Sequence, residues 1–354
     1  MDKDTLKSLL STRKEWSDAN EQILQTPYLH IAQQEGKKFR SKLIATFAQF
    51  YRIPNDDIYK LQEIIEILHT ASLMIDDIED NSLMRRGVKT SHLLFGIPLT
   101  LNSANYMYFI AMRSVGELGS PAVGNKIPSK ELKNRLMTIF EEELINLHRG
   151  QGLELYWRDN NKIPHVDMYF DMVRNKTGGL FRLTIRLMEC LSSFNEQLDL
   201  NETEDRSIIS NSLIPLCDML GIIYQIRDDY LNLVDDTMQQ KKGFAEDITE
   251  GKLSFPIIHA LEQESILMEK NKNHVSFLKN TLFSRTDDIS EKKKFIRILQ
   301  NETNSLEYTK ETLKNIMSLL EEGNYYPILN KLDTGVNEST VDNLKTMIRK
   351  LATV

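Results

Sequence analysis

Leu68-His69-Thr70-Ala71-Ser72-Leu73-Met74-Ile75-Asp76-Asp77-Ile78-Glu79-Asp80 is an apolar run that ends in a dense acidic cluster. Read as a helix, it places Asp76 and Asp80 on one face, about 6 Å apart along the axis. Two carboxylates crowded this way repel each other unless a cation lies between them. Mg²⁺ takes oxygen ligands and keeps coordination positions for water and phosphate, so it suits such a pair. The plainer alternative is a solvated helix end whose acids are neutralised by Arg85 and Arg86.

The pattern returns about 150 residues later, where Leu220-Gly221-Ile222-Ile223-Tyr224-Gln225-Ile226-Arg227 leads into Asp228-Asp229-Tyr230-Leu231-Asn232. Acids are rarely placed casually in so apolar a stretch. Here the alternative is a buried ion pair made by Arg227. Together the clusters read as two jaws that grip a diphosphate through bridging cations. Asp-Asp also occurs at 56–57, 235–236 and 287–288. The pairs at 56–57 and 287–288 lie in polar breaks, where capping a helix accounts for them.

The rest of the chain is written for helices. Leu, Ile and Met dominate the apolar set, while the 354 residues hold only 9 prolines and 15 glycines, which predicts an all-α fold. Helical periodicity runs over 21–34, 38–53, 57–80, 131–158, 166–191 and 206–235, with Pro215 as a kink in the last. Ser91 to Val115 forms one or two helices interrupted near Gly96-Ile97-Pro98, and another helix opens at Leu253-Ser254-Phe255-Pro256. No Gly/Ser/Pro-rich linker divides residues 1–354, so one domain is expected, with polar residues 1–20 as an arm against a neighbouring subunit.

A net charge of −7 excludes a general nucleic-acid binder, whose phosphate partners attract basic faces. No segment approaches the ~20 apolar residues of a transmembrane helix, and Met1-Asp2-Lys3-Asp4 opens neither a signal nor a transit peptide. Cys190 and Cys217 cannot build a disulfide framework, which fits a reducing compartment. The expectation is a cytoplasmic protein.

Basic residues supply the second half of the pattern. Gly36-Lys37-Lys38-Phe39-Arg40, Arg85-Arg86-Gly87, Lys176-Thr177-Gly178-Gly179, Lys242 and Gly251-Lys252 each put a cation near a helix end or a turn. Singly these are ordinary surface residues; beside two acidic jaws they point to an anion site.

In this order, the two acidic clusters, Arg85-Arg86-Gly87, Lys176-Thr177-Gly178-Gly179, Gln225-Ile226-Arg227-Asp228-Asp229-Tyr230 and Gly251-Lys252-Leu253-Ser254-Phe255-Pro256 resemble the signatures of the trans-isoprenyl diphosphate synthases, the fungal geranylgeranyl diphosphate synthases above all. The match spans about residues 21–260. It implies an isoprenoid-synthase-type helical bundle around a deep central cavity, assembled as a homodimer or larger. It implies Mg²⁺, three ions per site with Mn²⁺ able to substitute, on Asp76, Asp80 and Asp228, with Asp77 and Asp229 in support. Arg85, Lys176, Thr177, Gln225, Lys242 and Lys252 then fall on positions that hold the allylic diphosphate, and Lys37, Arg40, His69 and Arg86 on those that hold isopentenyl diphosphate. Asn232 departs from the Asp common in the wider superfamily and is left as support.

The implied reaction is head-to-tail condensation. The allylic diphosphate (dimethylallyl, geranyl or farnesyl) ionises as charge on its leaving group is stabilised. Isopentenyl diphosphate attacks the cation and a proton leaves. Ala71 and Ser72, small residues about one turn before Asp76, leave room for a growing tail, and Tyr108, Phe109 and His148 are candidates for the floor that stops it near twenty carbons. Core packing is the plainer fate of these three, and of Tyr224, Phe181 and Tyr230. A farnesyl or longer-chain synthase and a non-catalytic subunit are the alternatives. A terpene cyclase has no need of Lys37, Arg40 and His69 as a second diphosphate site, and a ferritin-like bundle requires Glu-x-x-His pairs on facing helices, of which the sequence holds no matched set.

Overall fold

The run from Leu61 to Met74 buries Leu61, Ile64, Leu68, Ala71 and Met74 almost completely, a spacing of three and four that makes one continuous inward stripe on α4 (Asn55–Glu79). Each such large side chain stabilises the fold by about 1.5–3 kcal/mol. The computed structural model describes residues 1–12, 15–34, 39–119, 129–198, 209–235, 243–270, 276–329 and 338–354. These are mostly helical, with connecting loops, one short hairpin and a single bridge between Ile209 and Leu329.

In chain order the helices are α1 (Lys3–Ser11), α2 (Asp18–Ala32), α3 (Phe39–Phe50), α4, α5 (Ser91–Phe95), α6 (Ile97–Val115), α7 (Lys130–Asp159), α8 (Val166–Lys176), α9 (Gly178–Leu198) and α10 (Ile214–Val234). Shorter helices follow at Glu246–Glu250, Phe255–Lys270, Phe277–Ser284, Ile289–Asn301, Ser305–Glu322 and Glu338–Ala352. α4 packs on α6, and α7 packs on α8 and α9. α10 lies between α9 and the C-terminal helices. Leu216, Cys217, Leu220, Ile223, Ile226 and Leu233 are all buried on α10, so it is apolar around most of its circumference, as the middle helix of a bundle must be. Among the described residues, no helix is long and apolar enough to cross a membrane.

Two glycines set the closest crossings. A Cβ on Gly221 of α10 would come within 2.6 Å of the Gly178 Cα, and one on Gly150 of α7 within 2.3 Å of the Lys176 backbone nitrogen. The turn Lys176-Thr177-Gly178 is therefore clasped between two helices.

Two local expectations change and a third holds. Pro215 does not kink a helix that begins at 206; it sits in the first turn of α10, where its missing N–H costs nothing. Residues 209–213 precede that helix, and 206–208 lie outside the described residues. Asp57 is not a cap. It is 4% exposed and accepts a hydrogen bond from the Gly119 N–H at 2.9 Å, tying α4 to the end of α6. Asp288 does cap its helix, accepting from the Ser290 and Glu291 N–H groups at 2.7 and 3.0 Å. α1 has an Asp2 cap and no buried residue.

Candidate active site

Asp76 and Asp80 at the end of α4 and Asp228 on α10 open onto one cavity of about 370 Å³. Arg40, His69, Arg85, Arg86, Lys176, Thr177, Gln225 and Lys252 line the same cavity, with apolar walls from Phe47, Leu73, Leu147, Leu180, Phe181 and Tyr224. The space is thus charged and oily at once. Lys37 and Lys242 lie outside the described residues.

The hairpin Met84–Arg85 with Val88–Lys89 closes the end of α4. Arg86 and Gly87 have φ of +53° and +82°, the left-handed pair that a two-residue hairpin turn demands. This fold-back brings Arg85 onto its own acidic cluster: Nε donates to Asp77 Oδ1 at 2.7 Å, and Nη2 reaches Asp76 Oδ2 at 3.3 Å. Asp77 faces Arg85 rather than the cavity and is 1% exposed. Arg86 turns the other way and donates to the Ile31 carbonyl at 3.2 Å.

At the opposite wall Asp229 is wholly buried. It accepts from the Tyr169 hydroxyl at 2.6 Å, Gln225 Nε2 at 2.8 Å, the Phe255 N–H at 2.9 Å and Lys252 Nζ at 3.1 Å. Two of those donors, Gln225 and Lys252, line the cavity, so Asp229 orients side chains around the space without entering it. Thr177 Oγ1 donates to Gln225 Oε1 at 2.7 Å. Asn232 also faces inward, where its Oδ1 accepts from the Asp247 N–H at 3.1 Å.

The charges are unevenly settled. Burial, then Asp76, Glu250 and Glu154, push the Asp80 carboxyl well above its ordinary range. Burial would lower the Lys176 ammonium, but Glu154 and Asp76 outweigh it and keep it charged. Burial, with Arg40, Arg86 and Arg85 around it, holds His69 well below its usual value and therefore neutral. Burial also lowers Arg40, and among the described residues no carboxylate forms an ion pair with it. One side of the cavity holds excess acid and the other excess base.

That imbalance suits a hard cation on the acidic side, because the donors are all oxygens and they repel one another. Among the described residues no three acidic or imidazole groups already stand at ligand spacing. Their carboxylates are engaged instead: Asp76 with Arg85 and Gln151, Asp80 with Arg158, and Glu154 with Lys176.

Two chain-length candidates need correction. Ala71 is fully buried in the core and does not line the cavity, whereas its neighbour Ser72 does. One helical step of 100° separates them. Phe109 is 64% exposed on the outer face of α6, while Tyr108 lines the cavity with its ring 5.8 Å from that of His148. Tyr224 and Phe181 line it too, their rings 6.4 Å apart. Tyr230 is buried and lies outside it.

The sequence pattern missed Glu79, Gln151, Glu154, Arg158, Asp247 and Glu250, all of which line the cavity. Leu147, Gln151, Glu154 and Arg158 are spaced four, three and four apart, so they share the inward stripe of α7. Polar residues on an apolar stripe were the signal available.

The sequence profile of the polyprenyl synthetase family matches residues 21–299. A geranylgeranyl pyrophosphate synthase of Eremothecium gossypii is 44% identical over 306 residues, covering 86% of this chain and 89% of the relative. One of Aspergillus versicolor is 43% identical over 298 residues, 84% of this chain and 70% of the relative. One of Aspergillus fumigatus is 41% identical over 304 residues, covering 86% and 75%.

Proposed function

The chain belongs to the polyprenyl synthetase family, and from that premise we propose that it is a geranylgeranyl diphosphate synthase, a prenyltransferase that joins isopentenyl diphosphate head-to-tail to an allylic diphosphate. One observation carries this: acids from α4 and α10, an excess of arginine beside a neutral histidine, and an apolar wall all meet in a single cavity. A diphosphate needs the first two and a prenyl tail needs the third.

On this reading Arg85, Lys176, Thr177, Gln225 and Lys252 bind the allylic diphosphate, and Lys37 and Lys242 join the basic set by sequence position. Lys176 enters as a charged donor, and negative charge developing on the leaving group strengthens its hold. Arg40, Arg86 and His69 take isopentenyl diphosphate. Arg40 has no acid to release first, and neutral His69 offers one N–H donor without adding to the cationic crowding. Phe181 and Tyr224 turn ring faces toward the path of the allylic cation. When bound on Asp76, Asp80 and Asp228, Mg²⁺ supplies charge neutralisation of the leaving diphosphate.

Ser72, Tyr108 and His148 bound the far end of the space for the tail. A homodimer or larger assembly belongs to the same proposal and is supported by exposed Leu93, Leu94, Ile97, Leu101 and Phe109 along α5 and α6. So does a single catalytic domain with residues 1–20 at the subunit interface, in keeping with the unburied α1. A cytoplasmic location accords with the free thiols of Cys190 and Cys217. The test is incubation of the purified chain with Mg²⁺, farnesyl diphosphate and isopentenyl diphosphate, followed by product identification. A twenty-carbon diphosphate is expected; a chain that leaves both substrates unjoined overturns the proposal.

A further inference from the structure

Lys292 is a buried lysine, 4% exposed, on the helix Ile289–Asn301, outside the cavity and outside every motif discussed above. A buried ammonium is costly unless its donors are used. Its Nζ donates to the Phe244 carbonyl at 2.8 Å and to Glu246 Oε1 at 3.4 Å.

Both acceptors lie in one tight turn. Ala245, between them, has φ of +49° and is fully buried, and Gly243 has φ of +123°. A non-glycine residue in the left-handed region costs about 1 kcal/mol or more and persists only where its surroundings enforce it. From this turn the chain enters the helix Glu246–Glu250, which carries Asp247 and Glu250 into the cavity, and two residues later it delivers Lys252. Asn232 holds the same segment from the α10 side through the Asp247 N–H.

We propose that Lys292 is a positioning residue for the diphosphate end of the cavity: its ammonium clamps the Phe244–Glu246 turn and so fixes where Asp247, Glu250 and Lys252 stand. The proposal rests on the assignment of the cavity to prenyl diphosphates. It adds a determinant that touches neither substrate nor metal and acts from the helix behind the site.

The test compares Lys292→Met, Lys292→Arg and the double variant Lys292→Met/Glu246→Gln with the parent chain. The double variant leaves no buried charge unpaired, so it guards against misfolding of the single one. With folding checked by circular dichroism, the KM for farnesyl diphosphate and the Mg²⁺ concentration at half-maximal rate should rise about tenfold in both Met variants. The KM for isopentenyl diphosphate should stay within about twofold, and Lys292→Arg should recover most of the loss. Folded Met variants with unchanged values, or with both substrate KM values raised alike, overturn the proposal. Amide hydrogen exchange over residues 243–252 reads the clamp without turnover. Faster exchange confined to that segment is expected in the Met variants, and unaltered exchange refutes the clamp even if the parent chain proves inactive.

Discussion

Lys252 Nζ lies 3.1 Å from Asp229 Oδ1 in a place where Asp229 has no solvent exposure at all. The pair joins the segment just after the helix Glu246–Glu250 to the C-terminal part of α10. Burial raises the Asp229 carboxyl, but Lys252, the Tyr169 hydroxyl, the Phe255 N–H and Gln225 outweigh it and hold it below the ordinary carboxylate range.

A carboxyl lowered in the folded chain adds stability at pH above its unfolded value of about 3.9, and loses that contribution as pH falls through the folded value. The resistance of the parent chain to urea should therefore weaken on acidification below about pH 4. In Asp229→Asn this part of the acid dependence should disappear, and stability at neutral pH should drop on the order of 3 kcal/mol because Lys252 keeps a poorer partner. Equal acid slopes in the two chains would contradict the assignment.

Gly221→Ala tests the helix crossing. Its Cβ meets the Gly178 backbone at 2.6–2.7 Å, and backbone cannot turn aside as a side chain can. A loss of about 1–3 kcal/mol is expected. Thermal melting measures it, and the turn carrying Lys176 and Thr177 should shift enough to lower the elongation rate as well.

Ser72→Phe should shorten the product, because Ser72 lines the cavity. Ala71→Phe should chiefly destabilise the chain by about 1–3 kcal/mol, since Ala71 lies in the packed core at 0% exposure. Chromatography of products and a melting curve separate the two outcomes. An unchanged twenty-carbon product from Ser72→Phe would remove Ser72 from the passage.

Much of the site was legible because its acids sit in apolar company. Asp76, Asp80 and Asp228 stand out for that reason, and Arg85-Arg86-Gly87 announces its turn through the glycine. The all-helical fold followed from composition, with few prolines and glycines among many helix formers. Other parts depend on which way a helix is turned. Glu154 and Arg158 look like surface charges until α7 is docked, and a single residue separates buried Ala71 from lining Ser72. Phe109 was misplaced in the same way, one step from Tyr108. Asp57 and Asp288 occupy similar polar breaks, yet one ties two helices together and the other caps its own. Only the partner at Gly119, far along the chain, distinguishes them.

The most direct measurement is the Mg²⁺-dependent rate of joining farnesyl to isopentenyl diphosphate in Asp76→Ala and Asp228→Ala beside the parent chain. If acids from both helices serve one reaction, each change should reduce the rate by about 10²-fold or more while the chain stays folded. Full turnover in either folded variant would contradict the account.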